Sequence, residues 1–236
     1  MEPLITEIRP AEVSRVVDFE PEKDCLLQMD FTAANPALTD EVIGDVNLLN
    51  RYITIQLEQQ HARYGIGGYL EPRVLYRRSN LFAGEAADGG EEARSIHLGV
   101  DIWAAAGTPV YAPLQATVHS FADNNQSGDY GATIILQHQT GSGLLYTLYG
   151  HLSLNSIQPL HKGQVFEAGA LLGWLGNRQE NGDWPPHLHF QLIRDMQGKQ
   201  GDYPGVCKPS EREWYAANCP DPDVLLQMNR YLRPQQ

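Results

Sequence analysis

Cysteine is scarce in this 236-residue chain: Cys25, Cys207 and Cys219 are an odd number at wide spacings, with no Cys-x-x-Cys pair. That excludes a disulfide framework and a cysteine-based structural zinc site. Reduced, mostly buried thiols are expected, and a Cys207–Cys219 bridge is the one pairing left open. Basic residues are also few, 17 Lys and Arg against 29 Asp and Glu, for a formal net charge of -12. Phosphate binding rests on clusters of Lys and Arg, so the balance argues against nucleic acid as a partner and against attraction to anionic membranes. No stretch approaches the roughly 20 apolar residues of a membrane span. The start, Met1-Glu2-Pro3-Leu4-Ile5-Thr6-Glu7, has no basic segment followed by an apolar one, so no secretory signal is expected and the chain reads as cytoplasmic. With 42% hydrophobic and 19% charged residues it is neither disordered nor membrane-embedded by composition. Its length suits one elaborated domain, or a domain with a substantial arm.

The pattern changes several times along the chain. Residues 1–38 are mixed and punctuated by proline, with a possible strand over 25–31. From 39 to 61, Val42, Val46, Leu49, Ile53 and Leu57 recur at three- and four-residue steps behind a Thr39 cap and acidic Asp40 and Glu41, which predicts one long helix ended by Gly65, Gly67 and Gly68. The run from Tyr69 to Phe82 reads as extended, and its Arg73, Arg77 and Arg78 as a solvated strand face, with a cleft for an acidic ligand as the other reading. Residues 83–94, small and acidic with three glycines, predict a mobile loop that closes an N-terminal arm of 1–94.

From 95 to 195, short β-type runs (110–118, 132–137, 144–149, 170–175 and 188–193) alternate with turn signals such as Gly107-Thr108-Pro109 and Asn181-Gly182-Asp183. The fold class expected is α+β, mainly β: an antiparallel sheet or sandwich domain. Residues 196–236 form an extension packed on it, with a last helix over about 224–231 behind Pro220-Asp221-Pro222-Asp223.

Four histidines and an aspartate carry the chemistry: His97 and Asp101, Tyr149-Gly150-His151, and His187-Leu188-His189. Side chains on a strand repeat every two residues, so 97 and 101 share a face, as do 187 and 189. Two such strands side by side can converge four groups on one point. Hydrolytic zinc takes three ligands from His, Asp or Glu and keeps a fourth position open for water. Two histidines and one aspartate meet that need and leave two histidines for proton transfer.

The run from His97 to Ala112, with its Gly107-Thr108-Pro109-Val110 turn, resembles the lysostaphin-type (LytM-type) zinc endopeptidases, as do Tyr149-Gly150-His151-Leu152 and Pro186-His187-Leu188-His189-Phe190. The resemblance spans about 96–195 and implies a lysostaphin-type β domain. It also implies one zinc ion per chain on His97, Asp101 and His189, with His151 and His187 unliganded and catalytic. The expected reaction is hydrolysis of an amide bond by a metal-activated water, on a peptide, a muropeptide or a small amide. His187 is the expected base and His151 the oxyanion or acid partner, with an exchange of roles open. His61, His119, His138 and His161 are read as structural.

Two departures bear on specificity. Glu180-Asn181-Gly182-Asp183-Trp184-Pro185-Pro186 puts a bulky Trp184 where many members have small residues, so Trp184 either narrows the substrate groove or packs on the domain. Trp184 and Tyr149 are the candidate substrate contacts. The Trp-Pro-Pro-His-Leu-His-Phe run and Cys219-Pro220-Asp221-Pro222 also resemble an intracellular branch of the family, which implies a small peptide or a metabolite amide as substrate. A catalytically silent metal-binding or interaction domain, its groove filled by the arm, is the alternative. A carrier-domain reading of residues 162–173 fails because Lys162 is not at a suitable hairpin tip. Nothing in the sequence fixes the oligomeric state.

Overall fold

The computed structural model describes residues 13–83, 92–141 and 143–233. The expected mobile loop lies largely outside them. β1 (Leu26–Met29) leads into α1 (Asp40–Gly44) and α2 (Val46–Gln59), followed by β2 (Tyr64–Gly67). The single long helix expected over 39–61 is therefore two. Asp45 sits between them in an extended conformation, and its side chain accepts from Asn47 N at 2.7 Å. A short acidic side chain that caps the next helix competes with continuation of the first.

The segment expected to be extended over 69–82 folds instead into two single-turn 3-10 helices, Leu75–Arg78 and Asn80–Phe82. Its apolar residues Val74, Leu75, Tyr76 and Phe82 are all buried, a grouping that does not alternate as a strand would.

The β region follows in order: β3 (Ile96–His97), β4 (Val100–Trp103), β5 (Pro109–Tyr111), β6 (Ala116–Asn124), β7 (Gly131–Thr140) and β8 (Gly143–Leu152). After α3 (Leu154–Ile157) come β9 (Val165–Phe166), β10 (Leu171–Trp174), β11 (His187–Ile193) and β12 (Val206–Cys207). The chain closes with α4 (Arg212–Asn218), α5 (Asp223–Leu226) and β13 (Leu232–Arg233). The last helix is thus shorter than expected. Gln227 turns left-handed at φ 49°, and Asp223 Oδ1 accepts from Met228 N and Asn229 N, which stops α5 after one turn.

The fold is mainly β. Nine strands form one sheet in the order β13-β1-β2-β4-β11-β8-β7-β6-β9, parallel across β13-β1-β2 and antiparallel from β2 onward. The arm is therefore part of the sheet rather than an appendage: β2 pairs directly with β4, Gly67 opposite Asp101. No helix among the described residues is long and apolar enough to cross a membrane.

Strand parity divides the side chains. Leu188, Phe190 and Leu192 of β11 and Val100 and Ile102 of β4 enter the main core, shared with Phe19, Tyr64 and Ile66 of the arm and with Leu225 and Met228. Burial of each large side chain there contributes roughly 1.5–3 kcal/mol. The intervening residues, His187, His189 and Gln191 on β11 and Asp101 and Trp103 on β4, therefore face the opposite side. Cys25, Cys207 and Cys219 are free, as expected of a chain without a disulfide framework.

Candidate metal centre

Pairing of β4 with β11 sets His189 opposite Asp101 and His187 opposite Trp103. His97 arrives from the two-residue β3, whose chain bends through Gly99. A side-chain carbon at Gly99 would lie 2.7 Å from the His189 ring, so only glycine permits that approach. His97, Asp101 and His189 converge, with His97 Nε2 and His189 Nδ1 2.9 Å apart and each 3.2 Å from Asp101 Oδ1.

The far side of each ring fixes its tautomer. His97 Nδ1 faces the Gly68 carbonyl at 2.9 Å, which can only accept, so the proton is on Nδ1. His189 Nε2 donates to Gln191 Oε1 at 2.9 Å, and that amide is oriented in turn by Gln191 Nε2 donating to Pro204 O at 3.1 Å. Two ring lone pairs and a carboxylate oxygen are left facing one another with no proton between neutral rings. A cation satisfies that arrangement. Tetrahedral zinc holds its ligand atoms roughly 3.3 Å apart, a few tenths of an ångström wider than the spacing here.

The arm supplies the outer contacts. Arg73, expected on a solvated face, is 3% exposed; its guanidinium donates to Asp101 Oδ2 and, at 2.7 Å, to Glu71 Oε2. Asp101 thus offers Oδ1 inward while Oδ2 is held. Burial alone would raise the Asp101 carboxyl, but the His97 ring and the Arg73 guanidinium overcome it and hold the group well below the usual carboxylate range. Sequence reasoning missed Arg73, Gln191 and the Gly68 carbonyl as parts of the centre. The His-x-His-x-Gln spacing, which puts Gln191 on the ligand face, was a usable signal for the second; none marks the first.

His151 and His187 stand beside this triad, their ring centroids 4.1 Å apart. Both donate from Nδ1 to a carbonyl, His151 to Asn181 O at 2.8 Å and His187 to Pro185 O at 2.7 Å, so each keeps an unprotonated Nε2. His187 stacks on Trp103 at 4.0 Å, and its Nε2 lies 3.7 Å from Asp101 Oδ2. Burial lowers His187 to about 4 and His97 to about 3. Burial and then the His187 ring push His151 well below its ordinary value. His151 also sits at φ 63°, a strained left-handed conformation of the kind found at functional sites.

Trp184 is 4% exposed, packed under the Arg78 guanidinium, and also lines the cavity that opens on the histidines. Asn181 places it, accepting from Trp184 N at 3.1 Å and donating to Trp184 O at 3.0 Å. Tyr149, the other candidate contact, does not reach the site. It is wholly buried in the main core against Phe190, and its hydroxyl accepts from Thr147 Oγ1 at 3.1 Å. Position 149 falls on the core face of β8, the opposite side of the strand pattern from the site. His138 is a satisfied core histidine, bonded to Gln115 O and Thr147 Oγ1.

Residues 95–202 match the model of Peptidase family M23. Over 126 residues the chain is 31% identical to the DD-carboxypeptidase/endopeptidase Mpg of Neisseria meningitidis serogroup B, covering 53% of this chain and 26% of that protein. Over 97 residues it is 35% identical to an uncharacterized metalloprotease of Haemophilus influenzae, covering 41% of this chain and 18% of that protein. The chain therefore spans about a quarter or less of the length of these relatives. Among solved structures it aligns with the catalytic domain of the antimicrobial peptidase lysostaphin from Staphylococcus simulans, 22% identical over 71% of this chain and 96% of that one, with a TM-score of 0.37. The β region that carries His97, Asp101, His151, His187 and His189 is thus the part of the chain that matches the model of Peptidase family M23.

Proposed function

We propose that this chain is a zinc-dependent hydrolase of peptide amide bonds, with one zinc ion on His97 Nε2, Asp101 Oδ1 and His189 Nδ1. Residues 95–195 are the catalytic unit in this reading, with an N-terminal arm (1–94) and a C-terminal extension (196–236) flanking it in sequence. The observation that carries it is the convergence of three potential ligand atoms 2.9–3.2 Å apart, with the far nitrogen of each ring bonded from behind. A bound zinc would supply a Lewis acid and a water acidified to a pKa of about 7. The remaining steps belong to the protein.

His187 Nε2 takes the proton of the attacking water, because its Nδ1 is already committed and Asp101 Oδ2, 3.7 Å away, stabilises the imidazolium that forms. His151 rests as an acceptor at Nε2 and cannot donate until it receives a proton. The adjoining His187 ring is the nearby source, after which His151 donates to the oxyanion or to the departing amine. The Asn181 carbonyl keeps the ring turned for that role.

The test is hydrolysis of a panel of glycyl peptides and muropeptides. Turnover should vanish on chelation and return with one equivalent of zinc. His189→Ala should lose stoichiometric zinc, whereas His187→Ala should keep zinc and lose turnover. Turnover indifferent to chelation, or retained in His187→Ala, would refute the assignment. Stoichiometric zinc with no hydrolysis of any peptide would support the silent metal-binding domain instead.

A further inference from the structure

The five residues of the centre are almost closed off from solvent: His97 is 0% exposed, Asp101 2%, His187 and His189 3% and His151 5%. They are reached through a half-open cavity of about 140 Å3. Its walls combine Tyr130 and Trp184 of the β domain with Leu75, Tyr76 and Phe82 of the arm. These arm residues are fixed in place. Tyr76 packs on Phe82 with ring centroids 4.7 Å apart and edge-on to Trp184 at 6.3 Å, and all three rings are buried in one cluster with Leu75. Of the lining residues that reach solvent, Arg94, Asp129 and Asp202 are charged, whereas Leu81 and Pro204 are not.

Size and lining both limit what enters. A compact cavity of this volume is roughly 6.5 Å across, whereas each residue of an extended chain advances 3.3–3.6 Å, so no more than about two residues fit. An engineered protein cavity of about 150 Å3 lined by Leu, Ile and Phe admits benzene. A leucine side chain is of that size.

We infer that the substrate is a short peptide or small amide that presents a leucine-sized apolar side chain to this cavity, the arm acting as its specificity wall. The inference rests on the amide-hydrolase reading and narrows it. The chemistry is unchanged: one water is consumed, the amide C–N bond breaks, and a carboxylate and an amine leave.

The experiment compares kcat/KM of the zinc-loaded protein for Leu-Gly and Gly-Leu with that for pentaglycine and a cross-linked muropeptide. Burial of a leucine side chain should favour the better leucyl dipeptide by roughly ten- to hundredfold. Phe82→Ala should reduce that preference and admit a tryptophyl dipeptide, and Leu81→Trp, which fills the cavity from the half-buried wall position, should suppress both. Cleavage of pentaglycine or the muropeptide as efficient as that of the leucyl dipeptides, unchanged in Phe82→Ala, would overturn the inference and leave the hydrolase reading intact. Should no amide be hydrolysed, the hydrolase reading fails and the cavity is judged by binding. N-acetylleucinamide raising Tm at concentrations where N-acetylglycinamide does not would support the inference, and equal or absent shifts would overturn it.

Discussion

Replacing Arg73 with methionine keeps most of the side-chain length and removes the charge. The guanidinium is 3% exposed and joins two carboxylates, Asp101 and Glu71, that are themselves largely enclosed. Breaking a buried ion pair by removing one partner costs about 3–5 kcal/mol, because the remaining charge stays uncompensated. A chain of this length loses about 2–4 °C of Tm per kcal/mol. Metal-free Arg73→Met should therefore melt roughly 6–20 °C below the parent. Zinc should narrow the gap, since a cation at Asp101 Oδ1 compensates the carboxylate that Arg73 no longer neutralises. Arg73→Lys, which keeps the charge but not the two-pronged geometry, should fall between them. Thermal melts with chelator and with excess zinc read all of this. A metal-free loss under 2 °C, or a loss equal in both conditions, would refute the picture of an arm cation buried against a metal ligand.

Two further outcomes follow from groups behind the centre. Gln191→Leu removes the acceptor that holds the His189 proton on Nε2, and outer contacts of this kind are worth roughly 10–100-fold in metal affinity. Zinc competition with a chromogenic chelator should show that loss while circular dichroism stays native, and an unchanged Kd would contradict the tautomer argument. Acid should destabilise the metal-free protein: His187 and His138 are lowered to about 4 and His97 to about 3 from 6.5, so between those values the unfolded chain binds protons the folded one does not. Stability is full above about pH 6.5 and falls toward pH 4, each histidine contributing at most about 1.4 kcal/mol per pH unit; a flat Tm from pH 7 to 5 would show these rings are not buried neutral.

Much of the site was legible because β periodicity is short-range. His187 and His189 share a face, as period two requires, and the core positions 188, 190 and 192 follow from the same rule. His97 and Asp101 also converge, though by another route: they sit on separate strands joined through Gly99, and Asp101 meets His189 across a strand pair. What escaped depends on contacts distant in sequence. Arg73 looked like a surface residue because its partner lies 28 positions away, and Gly65, Gly67 and Gly68 looked like a helix terminator because the pairing of Tyr64–Gly67 with β4 cannot be read from four residues, two of them glycine. The break at Asp45 was missed because the apolar period runs through it unchanged, while the cap acts on the backbone alone.

The central claim is the position of the metal. A crystal of the full chain grown with one equivalent of zinc, measured on both sides of the zinc absorption edge, would locate it by anomalous difference density. The account predicts one strong peak per chain within about 2.0–2.2 Å of His97 Nε2, Asp101 Oδ1 and His189 Nδ1, with Arg73 still on Asp101 Oδ2 and His151 and His187 unliganded. A peak coordinated by His151 or His187 in place of His189, or no peak at this triad, would contradict it.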